Sequence, residues 1–373
     1  MDEAAAQGGT ASPVIVAVDA MSGDHDPQAA VGGALETVVA AEARVLLVGD
    51  PTRLQTAVDE WRRAHDISGR AAELLRTHVE IVGASSVIAM DEHPAHAVRA
   101  KKDASVVVAT RLVADGRAQA AVSAGNSGAT LAAALLTIGR IRGVARPAIG
   151  AALPTPTAST FVLDVGANAD CKPAWLLQFG IMGDLYARLM MGVADPRVGL
   201  LSIGEEAGKG TEMVQEAHRL LSTAKLHFIG NVEGRDLMNG SCDVVVTDGF
   251  TGNVALKTAE GVAELLFGTI SREARGSLAG RLGGALLKPR LRPLRDRVDY
   301  RRAGGALLLG VAGEVIIAHG RSDAVAMRNA VKVAALAARQ QVHTRIAGAL
   351  ASRALEPLPA AVVAAGSEEA SRA

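Results

Sequence analysis

Cysteine is almost absent. Cys171 and Cys242 are the only two in 373 residues, too few for a disulfide scaffold and too far apart for a clustered zinc site. A reducing, cytoplasmic setting is the expectation. Aromatic residues are equally scarce at 2%, which argues against stacking platforms for single-stranded nucleic acid. Neither sign of charge predominates. The 39 Lys and Arg balance 39 Asp and Glu, so a general nucleic-acid coat is excluded while a local basic patch is not. No uncharged apolar run reaches the roughly 18 residues of a membrane span. Met1–Pro13 lacks the basic and apolar regions of a signal peptide. Residues 1–12 and the Pro- and Ala-containing stretch 356–373 read as loose tails. There is no GxSxG elbow, Walker loop or GxGxxG fingerprint, so neither a serine nucleophile nor a bound nucleotide is indicated. Each cysteine is better read as a small buried residue than as a covalent catalyst.

An apolar fraction of 49% is ample for a buried core. Strand-like runs alternate with helical stretches. Val14–Val18, Arg44–Val48, Val79–Val82, Ala118–Val122, Phe161–Asp164, Val198–Ile203 and Val244–Thr247 mostly run into turns rich in Gly, Asp, Asn and Ser. Most of those turns lead into helical segments. This alternation predicts an α/β fold, a doubly wound and mostly parallel sheet with helices on both faces, as one catalytic unit over residues 13–355. A ligand cleft is expected outside the strands' carboxyl ends, with all these turns facing it.

Several turns carry candidate chemistry. In Ser123–Ala129, Asn126, Ser127 and Gly128 precede a helix whose free N–H groups suit an anion, unless they form an ordinary capped turn. Gly204–Glu212 holds Lys209 between two glycines, where a point charge suits a phosphate or an oxyanion. Thr247–Asn253 offers Asp248 and Asn253, the latter either a hydrogen-bond donor or a helix cap. The opening loop supplies Asp19, Asp24 and His25, the histidine as a base, a phosphate partner or a structural residue. The two aspartates have no further carboxylate cluster to hold a metal, and none is expected.

The segments DAMSGDHDP, MDEHPAHAVRAKKDAS, SAGNSGA, GRIRGVARPAI, LDVGANADCKP, IGEEAGKGTE, IGNVEGRD, DGFTGN and HGRSD occur in that order between about Val14 and Ile346. This set resembles the bacterial phosphate acyltransferases of phospholipid synthesis. The resemblance implies an isopropylmalate-dehydrogenase-like fold and transfer of a long acyl chain from acyl-carrier protein to inorganic phosphate, without a cofactor. Three positions depart from the family pattern: Ser22 and Asp26 in the opening loop, and Ala104 where serine is usual. Lys209 and Asn253 are expected to be the most sensitive catalytic positions. Asn126, Ser127, Gly128, Asp19, Asp24, His25, Asn168 and Asp248 are expected around the substrates. A coenzyme A-dependent short-chain enzyme, a noncatalytic membrane-organising scaffold and a decarboxylating dehydrogenase are the competing readings. The dehydrogenase lacks a visible nicotinamide site or metal carboxylates.

A helical protrusion is expected over about 254–300. Ala259, Val262, Ala263, Leu266 and Ile270 form an apolar stripe that needs a partner, and with the resemblance this points to a homodimer. Leu278, Leu282 and Leu286 beside Lys288, Arg290 and further arginines suit peripheral contact with an anionic membrane. The same basic cluster could instead receive the acidic carrier protein.

Overall fold

A computed structural model of the chain describes residues 13–24, 27–298 and 300–354. His25 and both expected tails lie outside them. Among the described residues, eleven strands form one sheet: β1 (Ile15–Asp19), β2 (Arg44–Gly49), β3 (Val79–Gly83), β4 (Ala120–Ser123), β5 (Ala148–Pro154), β6 (Ser159–Leu163), β7 (Val198–Leu201), β8 (Phe228–Val232), β9 (Val244–Val246), β10 (Ala306–Leu309) and β11 (Glu314–Ile317). Their order across the sheet is β3-β2-β1-β4-β11-β10-β5-β6-β9-β7-β8.

The centre strands are nearly continuous runs of Val, Leu, Ile and Ala, as strands covered on both faces must be. Val18 pairs with Leu47 on one side and Val122 on the other, all buried. The helices Pro27–Val39 and Ala324–Gln340 pack together on one face. Pro173–Met190 buries Trp175, Leu176, Phe179 and Met182 against the other strand block.

The two parallel blocks run in opposite directions. β3, β2, β1, β4 and β11 are mutually parallel, and so are β6, β9, β7 and β8. Between the blocks, the pairings β11–β10, β10–β5 and β5–β6 are each antiparallel, which makes three reversals. The turns therefore do not all leave one edge of the sheet. Those after β1, β4 and β11 stand at one end, and those after β6, β7 and β9 at the other. The sequence expectation of a single rim is corrected by β10 and β5, the two strands that stand between the blocks with antiparallel neighbours on both sides.

Asp248, not Asn253, caps the helix Gly249–Arg275, its carboxylate accepting from Thr251 N. That helix is mostly exposed, with only Gly249 and Gly252 buried. It is followed by a second helix, Leu278–Val298, and the two pack together. The expected apolar stripe divides. Ala259 and Ala263 turn to the body of the protein, while Val262, Leu266 and Ile270 are exposed together with Leu265. No helix among the described residues is long and apolar enough to cross a membrane. Ala104, at the N-cap of Ser105–Ala114, leaves that helix without a side-chain cap. Such a loss typically costs about 1 kcal/mol.

Candidate active site

A cavity of about 390 Å³ lies between β5 and the helix Gly249–Arg275. Its size falls in the roughly 300–1,000 Å³ range of small-molecule sites. Ile149, Ala151 and Leu153 of β5, Val165 after β6, and Leu256 and Ala263 of the helix give it a mainly apolar wall. Because β5 bridges the two strand blocks, the cavity draws polar residues from both ends of the sheet. Gly166 and Asn253 come from the β6/β9 end, and Ser127 and His319 from the β4/β11 end. Asn253, Lys257 and Glu260 are spaced i, i+4, i+7 and so share the helix face that lines the cavity.

Asp164 organises the first end. It is fully buried, and its Oδ1 accepts the N–H groups of Ile149 (3.1 Å), Gly166 (3.0 Å) and Ala167 (2.9 Å). Its Oδ2 accepts the backbone N–H and the amide of Asn168, both at 2.8 Å. Burial pushes the Asp164 carboxyl above its ordinary value, and these donors oppose the shift. Five donors to one side chain fix the whole turn after β6. The helix enters against it at Gly252, where a Cβ would stand 1.9 Å from the Asp164 carbonyl oxygen, so only glycine fits. Asn253 follows directly and donates one amide hydrogen to Val165 O at 3.0 Å. Its other amide hydrogen and its Oδ1 remain for a ligand.

Most of the other sequence candidates spend their polar atoms on the protein itself. Asn168 donates both amide hydrogens, to Asp164 and to Pro147 O. Asp248 accepts from the N–H and hydroxyl of Thr251. Asn126 caps its helix through Ala129 N and donates to Met90 O at 3.0 Å, pinning the segment that brings Pro94 against Gly128. Asp19 is buried and accepts from Ser123 Oγ at 2.7 Å. Asp24 donates its N–H to Gly320 O at 2.8 Å, tying the opening loop to the HGRSD turn. Lys209 stands in the loop after β7, outside the cavity lining, with its N–H bonded to Glu206 O and its stem near Gly204. Of all these candidates, Ser127 and Asn253 line the cavity.

Lys257, Glu260 and His319 are among the polar lining residues that the sequence did not single out. Lys257 Nζ lies 2.8 Å from Glu260 and 3.4 Å from His319 Nε2. Burial, and then the Lys257 charge, lower the His319 pKa below its usual 6.5. HGRSD marked that turn without marking its histidine, and Lys257 passed as one charge in a helix. Cys171 is no nucleophile in waiting, since burial and the nearby Asp164 push its thiol up to about 12. An apolar chamber with hydrogen-bond donors along one helix face can hold an apolar chain and stabilise negative charge on the group at its end.

The sequence profile described as "Fatty acid synthesis protein" matches residues 14–345. A phosphate acyltransferase of Heliobacterium modesticaldum is 51% identical over 319 residues, 86% of this chain and 92% of the relative. One from Dictyoglomus thermophilum is 44% identical over 333 residues, 89% of this chain and 96% of the relative. Among solved structures, a phosphotransacetylase from Streptococcus pyogenes superposes with a TM-score of 0.60 at 15% identity, covering 88% of this chain and 94% of that one. The EutD phosphotransacetylase of Staphylococcus aureus gives 0.56 at 16% identity, covering 87% and 94%. At such identities the likeness is one of fold.

Proposed function

The chain belongs to this fatty acid synthesis family and is a phosphate acyltransferase, and on that premise we propose that its acyl donor is a long-chain thioester of acyl-carrier protein. The observation that carries the proposal is the apolar cavity along β5 with hydrogen-bond donors on one side of it. An acyl chain occupies the part lined by Ile149, Ala151, Leu153 and Ala263. Its thioester carbonyl lies near Asn253.

The reaction asks little of acids and bases. Phosphate is already an anion near neutral pH, and a thiol with a pKa of about 8.5 is a fair leaving group. A phosphate oxygen attacks the carbonyl carbon, a C–O bond forms, and the carbonyl oxygen takes up the negative charge. The C–S bond then breaks, and the thiolate leaves with its electron pair and takes a proton from solvent. The protein's work is to hold two substrates together and to stabilise the oxyanion. Positioning alone supplies roughly 7–11 kcal/mol. The free amide hydrogen of Asn253 serves the oxyanion, with Ser127 as a second donor. Lys209, at the same sheet end as Asn253, supplies a cation to the carrier-linked side. No acyl-enzyme is required.

We also place the helical pair in delivery. Leu282 and Leu286 are 67% and 72% exposed beside exposed Lys288 and Arg290, a combination suited to an anionic bilayer. The side chain of Leu278 lies outside the described residues. The exposed Val262, Leu265, Leu266 and Ile270 suit a second copy of the chain. Flotation with anionic vesicles tests the first assignment: Leu282→Glu with Leu286→Glu should abolish binding and spare turnover of soluble substrate. Unchanged binding removes the tip from membrane contact. Sedimentation tests the second, and a monomer contradicts it.

A further inference from the structure

We propose that Asn231 and Gln215 are positioning residues for Lys209, two side-chain amides that hold the glycine-flanked turn on which the lysine stands. The inference rests on the reading of Lys209 as the cation of the acyltransfer site, and it names what fixes that cation in place. Asn231 lies on β8 at the edge of the sheet and is only 5% exposed. Its Nδ2 donates to Glu206 O at 2.8 Å. The Lys209 N–H donates to that same carbonyl at 2.9 Å. A carbonyl oxygen has two lone pairs and accepts both. One oxygen therefore ties the lysine's own backbone to the sheet. Asn231 Oδ1 is buried without a hydrogen-bond partner. Most buried amides pair at both ends. Here the cost of an unpaired oxygen stands against a single bond, the one to the lysine turn.

Gln215 holds the other limb. It projects from the first turn of the helix Glu212–Ser222, which Thr211 caps by accepting from Val214 N. Gln215 Nε2 lies 3.0 Å from Gly208 O and 3.2 Å from Gly210 O, the carbonyls on either side of Lys209. Gly210 takes a φ of +92°, which glycine adopts without strain, and a Cβ there would stand 2.8 Å from Val214 and 2.9 Å from Ser202 Oγ. The lysine stem passes Gly204, where a Cβ would stand 2.9 Å from Lys209 Cγ. Residues 205–209 are all exposed, so burial does not hold this turn. The ion pair of Glu205 with Arg235 is exposed at both partners and adds little. The two amides are what remains to set where the lysine stands.

Turnover of Asn231→Leu, Gln215→Leu, Lys209→Ala and the two double variants with Lys209→Ala tests the proposal. Asn231→Leu removes one hydrogen bond and leaves no new buried polar group unpaired. It should lower kcat by about 3- to 10-fold, and Gln215→Leu by about 2- to 5-fold, the range that one neutral hydrogen bond converts to. In the Lys209→Ala background each should cost less than about 1.5-fold, because a residue that acts through the lysine has nothing left to position. Losses that multiply in full mark a general structural role and overturn the proposal. An unchanged kcat in either folded single variant, beside an impaired Lys209→Ala, overturns the assignment of that residue. If Asn231→Leu does not fold, Gln215→Leu, at an exposed helix position, decides by the same criteria. Hydrogen exchange at the residue-209 amide should quicken in both amide variants, and unchanged exchange refutes the clamp whatever the rates. A near-normal Lys209→Ala enzyme is a separate failure: it removes the lysine from catalysis, and the positioning role falls with it.

Discussion

The two ends of the cavity are built on opposite principles. At the β6/β9 end, polar groups satisfy one another: Asp164 accepts five hydrogen bonds, Asn168 has spent both amide hydrogens, and Asp248 is a cap. Toward the β4/β11 end, Lys257 reaches across from the helix after β9 and lies 2.8 Å from Glu260 and 3.4 Å from His319 Nε2 on the cavity wall. A network of matched partners is rigid and expensive to break. Charged and polar side chains on an open cavity wall can meet a ligand as well as each other. The contrast separates a framework that aims Asn253 from a surface that binds.

The largest effect should come from breaking the framework. Asp164→Asn turns one acceptor oxygen into a donor that faces N–H groups. We expect a loss of about 3–5 kcal/mol in stability, read by denaturant unfolding, and near-complete loss of turnover. A stable, active Asp164→Asn enzyme removes the rigid side of the contrast.

Asn253→Ala should follow, with turnover down by about 10²- to 10³-fold, the cost of an oxyanion donor. Its stability should fall by no more than about 1 kcal/mol, because Asp248 holds the cap. A variant that loses stability and keeps its rate returns Asn253 to the framework. Lys209→Ala, on the β7 loop outside the lining, is expected to cost about 10²-fold in turnover, and a near-normal rate removes it from the site.

Filling the wall between the ends gives a smaller and more selective effect. Ala151→Phe should lower kcat/KM for long acyl chains by roughly tenfold, with short chains affected less and the phosphate KM unchanged. Equal loss at all chain lengths would place the acyl group elsewhere.

The smallest effect concerns pH. His319 faces Lys257, Glu260, Arg321 and Asp24, and its folded pKa lies below the usual 6.5. The unfolded chain therefore takes up this proton first. The stability held by the neutral ring is present above 6.5 and is lost as pH falls through the folded value. His319→Gln should be less sensitive to acid than wild type in thermal melts below pH 6.5, and identical profiles contradict the shift.

Seven strands were legible because each is an apolar run closed by a Gly- or Asp-bearing turn. β5, β8, β10 and β11 were not. The pairings that seat two hairpins in the sheet, β10 with β5 and β11 with β4, join segments distant in sequence, and it is β10 and β5 that reverse the second block and separate the two ends. Asn253 was expected as a hydrogen-bond donor or as the helix cap, and the cap is Asp248. The signal for the true start, Asp248 followed three residues later by Thr251, lay in the sequence. The roles of Asn126 and Asn168 could not be read there, because what commits their amides is Met90 O, Pro147 O and Asp164, brought together only by the fold. Lys257 and His319 are 62 residues apart, and nothing local pairs them.

The direct test is stoichiometric. Purified enzyme is given a long-chain acyl-carrier-protein thioester with and without inorganic phosphate, and free carrier thiol and acyl phosphate are measured together. Thiol release that depends strictly on phosphate, with one acyl phosphate formed per thiol, is the expected result. Thiol release at the same rate without phosphate, or with free fatty acid in place of acyl phosphate, would contradict it.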